Sequence, residues 1–343
     1  MDLQGCYHGN MRVILMIVCT VTFSSVAANA THADETSAVS ETTTPQIPTQ
    51  QALVDRPKVG LALGGGGMRG AAHAGVLKVL QREGIPIDFV AGTSIGAIIG
   101  GLYCAGLTPQ EIETKLTDLT LMRYFLIVPT YLGLAEEPIN LSLPSVGHKA
   151  YLGLYRGHKF LEYLNKSIPE CEKEISSLPI PFRAVALNLV DGQVYGISKG
   201  NLGLAMLASS AVPSLRQPVP IDDKLFVDGG VMDNLPVDVV KKMGADIVIA
   251  VNVDEAVHEI PSDHFRVFGA VPRRLLLLQL ANSDAVKEVK ADIVIHPNVD
   301  GIGMVSMDIA DGIRAIKLGE DAAVAALPAI RAALAQKVKP IAH

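Results

Sequence analysis

The amino-acid sequence predicts an α/β fold with a mostly parallel central sheet flanked by helices. Two observations carry that expectation. From Val59 onward, short apolar runs alternate with stretches of helical spacing. That βαβα order calls for a parallel sheet with covering helices. The first two runs each end in a glycine-rich turn that leads straight into a helical pattern, which is how an open α/β sheet builds ligand loops along one edge.

The elements follow in order. Val59 to Leu63 is an apolar strand entering Gly64 to Gly67, and Arg69 to Glu83 has helical spacing with Val76, Leu77 and Leu80 on one face. Ile85 to Ala91 reads as a second strand, and Gly92 to Ala105 as a tight turn continuing into a helix. Thr108 to Thr120 is expected to be helical, with Pro109 near its start and Glu111 and Glu113 in its first turns. Leu121 to Leu154 is apolar and Pro-broken without a period; a lid or wall over a site and a plain packing segment fit it equally. Phe182 to Leu189 and Val194 to Ile197 flank Asp191-Gly192, a hairpin signal. Leu204 to Ala211 is a short helix ended by Pro213, and Leu225 to Asp228 a strand that stops at Gly229-Gly230. Ile247 to Val253 and Ile293 to Pro297 are further buried strands, and Asp308 to Leu334 is a long helix broken at Pro328. The run Arg273-Arg274-Leu275 to Leu278 has two readings. The preferred one is a buried helix with a solvated end; the other is a basic-apolar face for peripheral membrane contact.

Residues 1–30 read as a signal peptide. Arg12 precedes an apolar run from Val13 to Phe23, and Ala28-Asn29-Ala30 suits cleavage after Ala30. A lipoprotein signal at Cys19 competes, but Val18 stands where that pattern wants a small residue. Residues 31–57, rich in Thr, Ser, Ala, Pro and Gln, read as a disordered linker, and residues 58–337 as the folded domain. The expected destination is secreted or periplasmic, with an uncleaved N-terminal anchor as the alternative.

Bulk properties narrow the function. The chain has 343 residues, 49% hydrophobic and 19% charged, enough for a sizeable core. Lys+Arg 29 against Asp+Glu 35 gives a net charge of -6, which argues against a nucleic-acid partner. Trp is absent and aromatics make up only 5%, so stacking platforms are not expected. Cys6 and Cys19 would leave with the signal; Cys104 and Cys171 make no disulfide framework, and Cys104 lies in an apolar helical run where a buried thiol is expected. The nine histidines are scattered, with no His-x-x-x-His or Cys-x-x-Cys spacing, so neither metal nor cofactor is expected. Nothing in the residues specifies an oligomeric state.

Three motifs carry chemistry. Gly92-Thr93-Ser94-Ile95-Gly96 lies between an apolar strand and a helix, where a nucleophile elbow belongs. A serine at so sharp a turn projects its hydroxyl from the sheet edge, and the helix behind it points a positive end at developing charge. Gly64 to Gly70, reading GGGGMRG, is the second motif. Consecutive glycines let backbone N–H groups converge on an anion, and Arg69 adds a fixed positive charge. Gly65, Gly67 and Gly70 also match the dinucleotide fingerprint. A nucleotide-dependent enzyme nevertheless loses, because the next strand ends in Gly92-Thr93-Ser94 rather than an acid, and no Gly-Lys-Ser/Thr follows the glycines. The third motif, Asp228-Gly229-Gly230, places a carboxylate at a strand end; alone it is a turn signal.

Taken in order, Gly65 to Gly70, Gly92 to Gly96 and Asp228 to Gly230 resemble the three blocks of the patatin-like phospholipase family, its bacterial branch in particular. Ala208-Ser209-Ser210-Ala211-Val212-Pro213, Asn234-Leu235-Pro236 and Gly244-Ala245-Asp246 support the likeness, which covers roughly Lys58 to Leu334. The resemblance implies a three-layer α/β/α domain and a Ser-Asp dyad: Ser94 as nucleophile, Asp228 as its base, and an acyl-enzyme released by water. It also implies an oxyanion hole from Gly65, Gly66 and Gly67 with Arg69 as electrostatic support, and a lipid or acyl ester substrate, phospholipid or lysophospholipid. His73, on the helix after the glycine loop, is expected to pack or cap. The stretch Ser214-Leu215-Arg216-Gln217-Pro218 departs from the family, whose members commonly carry an aromatic and prolines there; that opens the chain-length preference. A non-catalytic lipid- or partner-binding member of the same fold is the alternative.

Overall fold

The computed structural model describes residues 56–126, 155–213, 215–267 and 270–337. The expected signal peptide, the linker as far as residue 55, the segment 127–154 and residue 214 lie outside them. Every described residue belongs to one compact unit.

The strands are β1 (Val59–Leu63), β2 (Phe89–Thr93), β3 (Phe182–Asn188), β4 (Val194–Ile197), β5 (Val219–Ile221), β6 (Lys224–Asp228), β7 (Ile247–Val251) and β8 (Ile293–Ile295). Around them run α1 (Ala72–Arg82), α2 (Ile95–Cys104), α3 (Pro109–Thr117), α4 (Thr120–Leu126), α5 (His158–Ser167), α6 (Leu202–Ser209), α7 (Val237–Lys242), α8 (Ala270–Glu288) and α9 (Ile309–Gln336). All eight strands join one sheet of order β5-β6-β3-β2-β1-β7-β8, with β4 attached to β3. The run β3-β2-β1-β7-β8 is parallel throughout, while β4, β5 and β6 pair antiparallel.

Alternation along the strands sets the layers, because successive side chains point to opposite faces. Val59, Leu61 and Leu63 join the larger core with residues of α1, α2 and α9, while Ala62 joins a smaller core with Val237 and Val240 of α7. Small residues on that second face let α7 sit close. Among the described residues, no helix is long and apolar enough to cross a membrane.

Several sequence expectations shift here. The second strand begins at Phe89, not Ile85. Asp88 explains the delay: its carboxylate accepts Val59 N at 2.7 Å and grips Arg56 at 2.7 and 2.8 Å, so the chain is pinned by a side chain before it enters the sheet. The helix expected over Thr108 to Thr120 is divided into α3 and α4, with Leu119 at φ 59 between them; Thr108 and Glu111 form a reciprocal cap at the start of α3. Leu121, Met122 and Phe125, the start of the ambiguous segment, are buried on α4. Pro328 does not break α9, which runs continuously through it. The proline is exposed while Leu327 and Ile330 beside it are buried, so the orphaned carbonyl faces water and packing holds the helix. The Arg273 to Leu278 run is helical but not buried: Leu275, Leu276 and Leu278 are 61%, 43% and 39% exposed. The helices α5 and α7 and the strand β5 were not anticipated.

Candidate active site

Backbone register brings the serine and the aspartate together. On β3, Ala184 and Val185 pair with β2 on one edge and β4 on the other; Ala186 and Leu187 pair with β4 and with β6. A strand has only two edges, so β2 and β6 share one of them in tandem. The first runs parallel and ends with Thr93 opposite Val185; the second runs antiparallel and ends with Asp228 opposite Ala186. Two carboxyl ends therefore meet head to head. The Ser94 hydroxyl lies near enough to the Asp228 carboxyl there to act on its pKa.

Ser94 has φ 55 and ψ -122, a left-handed backbone state that is costly for any residue with a β-carbon. Close packing of the turn enforces it. A β-carbon on Gly96 would stand 2.4 Å from Leu63 O and 2.6 Å from Gly64 O, so the helix start and the end of β1 touch backbone to backbone. The Ser94 N–H donates to Ser209 Oγ at 3.0 Å, and that hydroxyl donates to Val185 O at 2.6 Å. Ser209 thus ties the elbow to β3, beside the register position where the dyad meets.

Asp228 is 6% exposed and Ser94 7%. Burial raises the Asp228 carboxyl to about 6, opposed by the Gly230 N–H, by Ser94 and by the positive charge of Arg216. The Gly230 N–H reaches Asp228 Oδ1 at 2.8 Å, which leaves the carboxylate oriented. Arg216, itself buried, stacks 4.5 Å over the Phe160 ring and donates to Phe125 O at 2.6 Å. The departure noted in the sequence thus puts a cation near the aspartate.

The chain after Asp228 stitches the three motifs together. Thr93 Oγ1 donates to Asp233 O at 2.9 Å, and Gly65 N donates to Asn234 O at 3.3 Å. Gly64 N is taken by Val251 O. Gly65, expected among the oxyanion donors, is thus committed to Asn234, whereas Gly66 and Gly67 have no loop acceptor for their N–H groups among the described residues and remain available to an anion. A β-carbon on Gly65 would lie 3.2 Å from Ser94 Cβ, which sets the loop beside the serine; Gly67 adopts φ 59 with Met304 O where its β-carbon would be. Arg69 is buried, donates to Ile302 O at 2.7 Å and pairs with Glu255. It braces the outer side of the loop.

His73 does not approach the dyad. Its Nε2–H donates to Gly64 O at 2.8 Å, and complete burial pushes the ring down to about 4, so it is neutral and caps the loop. Behind the loop lie further buried polar groups. Asn234 Nδ2 donates to Asp284 Oδ2 at 2.7 Å, and the Asp254 carboxyl lies close to it, Asp254 Oδ2 and Asp284 Oδ1 both being buried without a donor among the described residues. Burial and then the neighbouring Asp254 charge lift Asp284 to about 8, which keeps a proton between the two carboxyls. Ser209 and Asn234 sat in stretches already singled out for their resemblance; Asp284, on α8, had no local signal at all. Cys104 is buried, which raises its thiol pKa well above the ordinary value.

Comparisons with known proteins bear on the family of the chain. The Patatin family model, described as "Patatin-like phospholipase", matches residues 61–241. An uncharacterized NTE family protein of Mycobacterium tuberculosis (strain H37Rv) is 34% identical over 200 residues, covering 58% of this chain and 49% of the relative. Lysophospholipase nte1 of Emericella nidulans is 28% identical over 250 residues, covering 71% of this chain and 15% of the relative. The chain thus spans about half, or less, of the length of these curated relatives. Among solved structures, VipD from Legionella pneumophila aligns over 81% of this chain and 67% of that one at 14% identity, with a TM-score of 0.44.

Proposed function

The chain belongs to the patatin-like phospholipase family, and from that premise we propose that it is a serine acyl hydrolase acting on lipid esters, with Ser94 as nucleophile and Asp228 as its base. The observation that carries this reading is the strand register that sets the two residues at adjoining strand ends, Thr93 opposite Val185 and Asp228 opposite Ala186, with the Ser94 hydroxyl close enough to lower the Asp228 pKa. A carboxylate in contact with a hydroxyl can take its proton as the oxygen attacks an acyl carbonyl. The negative charge that develops on the carbonyl oxygen is met by the N–H groups of Gly66 and Gly67 and by the amino end of α2. Collapse of the intermediate breaks the ester C–O bond, and the departing alcohol takes the proton back from Asp228. Water then attacks the acyl-serine, gives its proton to Asp228, and frees the fatty acid while Ser94 regains its hydrogen.

The lysophospholipase named among the relatives supports a glycerophospholipid or its lyso form as the substrate class. Export through residues 1–30 is part of the same proposal; mature protein from the cell envelope or medium should begin at Thr31. The deciding experiment compares turnover of a water-soluble p-nitrophenyl acyl ester by the full chain and by Ser94→Ala. A loss on the order of 10³-fold or more is expected. Equal turnover would remove the hydrolase and leave a lipid-binding protein of the same fold.

A further inference from the structure

The helix α8 is longer than the sheet it crosses. Because β7 and β8 are parallel neighbours, the connection between them must leave from the carboxyl edge of β7, which is in register with the ends of β1 and β2. That is the edge carrying the glycine loop and Ser94. A helix of 19 residues spans about 28 Å, whereas the five residues of β7 span roughly 17 Å. The return half of α8 is anchored: Leu280 and Asp284 are buried, and Lys287 reaches Asp233 at 2.7 Å and Asp238 at 2.9 Å. The leading half overhangs the edge. Val271, Leu275 and Leu278 recur at helical spacing on one face and are 49%, 61% and 39% exposed, with Leu276 flanking them.

The overhang adjoins the Asp228 turn and the glycine loop on two counts. Gln279 Nε2 donates to Val231 O at 3.0 Å, and Met232, next in the chain after the Asp228 turn, is 56% exposed. Burial pushes the Arg69 guanidinium down and Arg273 adds to that, so Arg273 stands within electrostatic range of the glycine loop.

We propose that the leading half of α8 is the surface by which the protein docks on an anionic lipid bilayer, seating Val271, Leu275 and Leu278 among the acyl chains with Arg274 beside them at the phosphates. Docking beside the site rests on the lipid-ester reading for its purpose, though not for its physics. The charge pattern selects this occupant. Between Ala270 and Ala281 the ionised side chains are Arg273 and Arg274 alone, in a chain whose net charge is -6. Arg273 has no carboxylate partner among the described residues. Of the acids upstream, Glu259 lies on the preceding loop and Asp263 on the 3-10 turn Ser262–Arg266 that packs against α8 and also carries His264 and Arg266. A second copy of the chain meeting this face about a two-fold axis would set like charges against each other. A helix with an exposed aliphatic stripe and arginines is instead the pattern of an interfacial anchor, where apolar burial and attraction to anionic headgroups add.

The test is vesicle co-sedimentation of the full chain bearing Ser94→Ala, which cannot consume the lipid, on phosphatidylcholine vesicles with and without phosphatidylglycerol. Binding should be at least tenfold tighter to the anionic vesicles. Adding Leu275→Asp and Leu278→Asp should weaken it at least tenfold. The same pair in the chain with Ser94 should leave soluble-ester turnover within twofold and the thermal midpoint unchanged, since both side chains are exposed, while hydrolysis of vesicle lipid falls. Equal vesicle binding with and without the two aspartates, or no binding by the parent, overturns the proposal. So does a parent dimer that the aspartates dissociate with no accompanying vesicle binding. Absence of soluble-ester turnover in the parent would instead sink the hydrolase reading and leave the docking result standing.

Discussion

Asp228 occupies the place on β3 that Ser94 would fill if β2 ran one residue further. Thr93 is opposite Val185, and the next position, Ala186, is opposite Asp228. The elbow at Ser94 turns the serine out of the sheet, and the antiparallel strand arrives to take its register. The two residues proposed as nucleophile and base are thereby set by main-chain pairing, with no long side chain needed to bridge them.

That pairing makes the acid limb of activity a property of one carboxyl. Asp228 works only when ionised, and burial raises it to about 6. Turnover of a soluble ester at low substrate should therefore fall about tenfold per unit below pH 6 and level off above it. Asp228→Asn should remove that limb along with at least 10³-fold of the rate. A kcat/KM profile for the two proteins checks both; a limb centred near pH 4 would mean that the site is wetter than its geometry implies.

Arg216 lowers the Asp228 pKa through its charge, so Arg216→Met should move the acid limb to higher pH while preserving much of the packing over Phe160. The readout is the midpoint of the same profile. A drop in rate at every pH with the midpoint unmoved would assign Arg216 to packing alone.

Ser209 satisfies two buried backbone groups at once, accepting from Ser94 N and donating to Val185 O. Ser209→Ala leaves both without partners, which should cost about 1–3 kcal/mol in urea unfolding. Because one of those groups belongs to the elbow, kcat should fall more than KM rises. A variant of unchanged stability would mean that the two groups find other partners.

The Asp254–Asp284 pair predicts a stability that declines with pH. Asp284 is lifted to about 8 by burial beside Asp254, against roughly 3.9 in an unfolded chain. Between those values the folded protein keeps a proton that the unfolded chain has lost. Stability is then greatest at the acid end of the window and falls as pH rises toward 8. Asp284→Asn supplies a fixed donor to Asp254 and keeps an acceptor for Asn234, so its urea midpoint should vary much less between pH 6 and pH 9. Parallel decline in the two proteins would exclude the pair as the cause.

Much of this was legible in the chain because it is local. The strand Val59–Leu63, the glycine loop, the elbow and the hairpin about Asp191-Gly192 are each specified by neighbours in sequence. The meeting of Ser94 with Asp228 was implied by a family resemblance; strand composition alone could not set the register of β6 on β3. The second strand was misplaced by four residues because an apolar run looks the same whether or not Asp88 pins its start. Asp284 and Ser209 act through partners more than twenty residues away, and no spacing rule reaches that far. The leucines of α8 misled in the opposite sense: composition suggested a core, and the length of the helix relative to the sheet leaves them outside.

The most direct measurement is mass spectrometry of the intact chain after brief exposure to a fluorophosphonate, which bonds only to an activated hydroxyl. The account predicts one adduct, on Ser94, formed at least a hundredfold more slowly in Asp228→Asn. An adduct on another residue, or equal labelling rates in the two proteins, would contradict it.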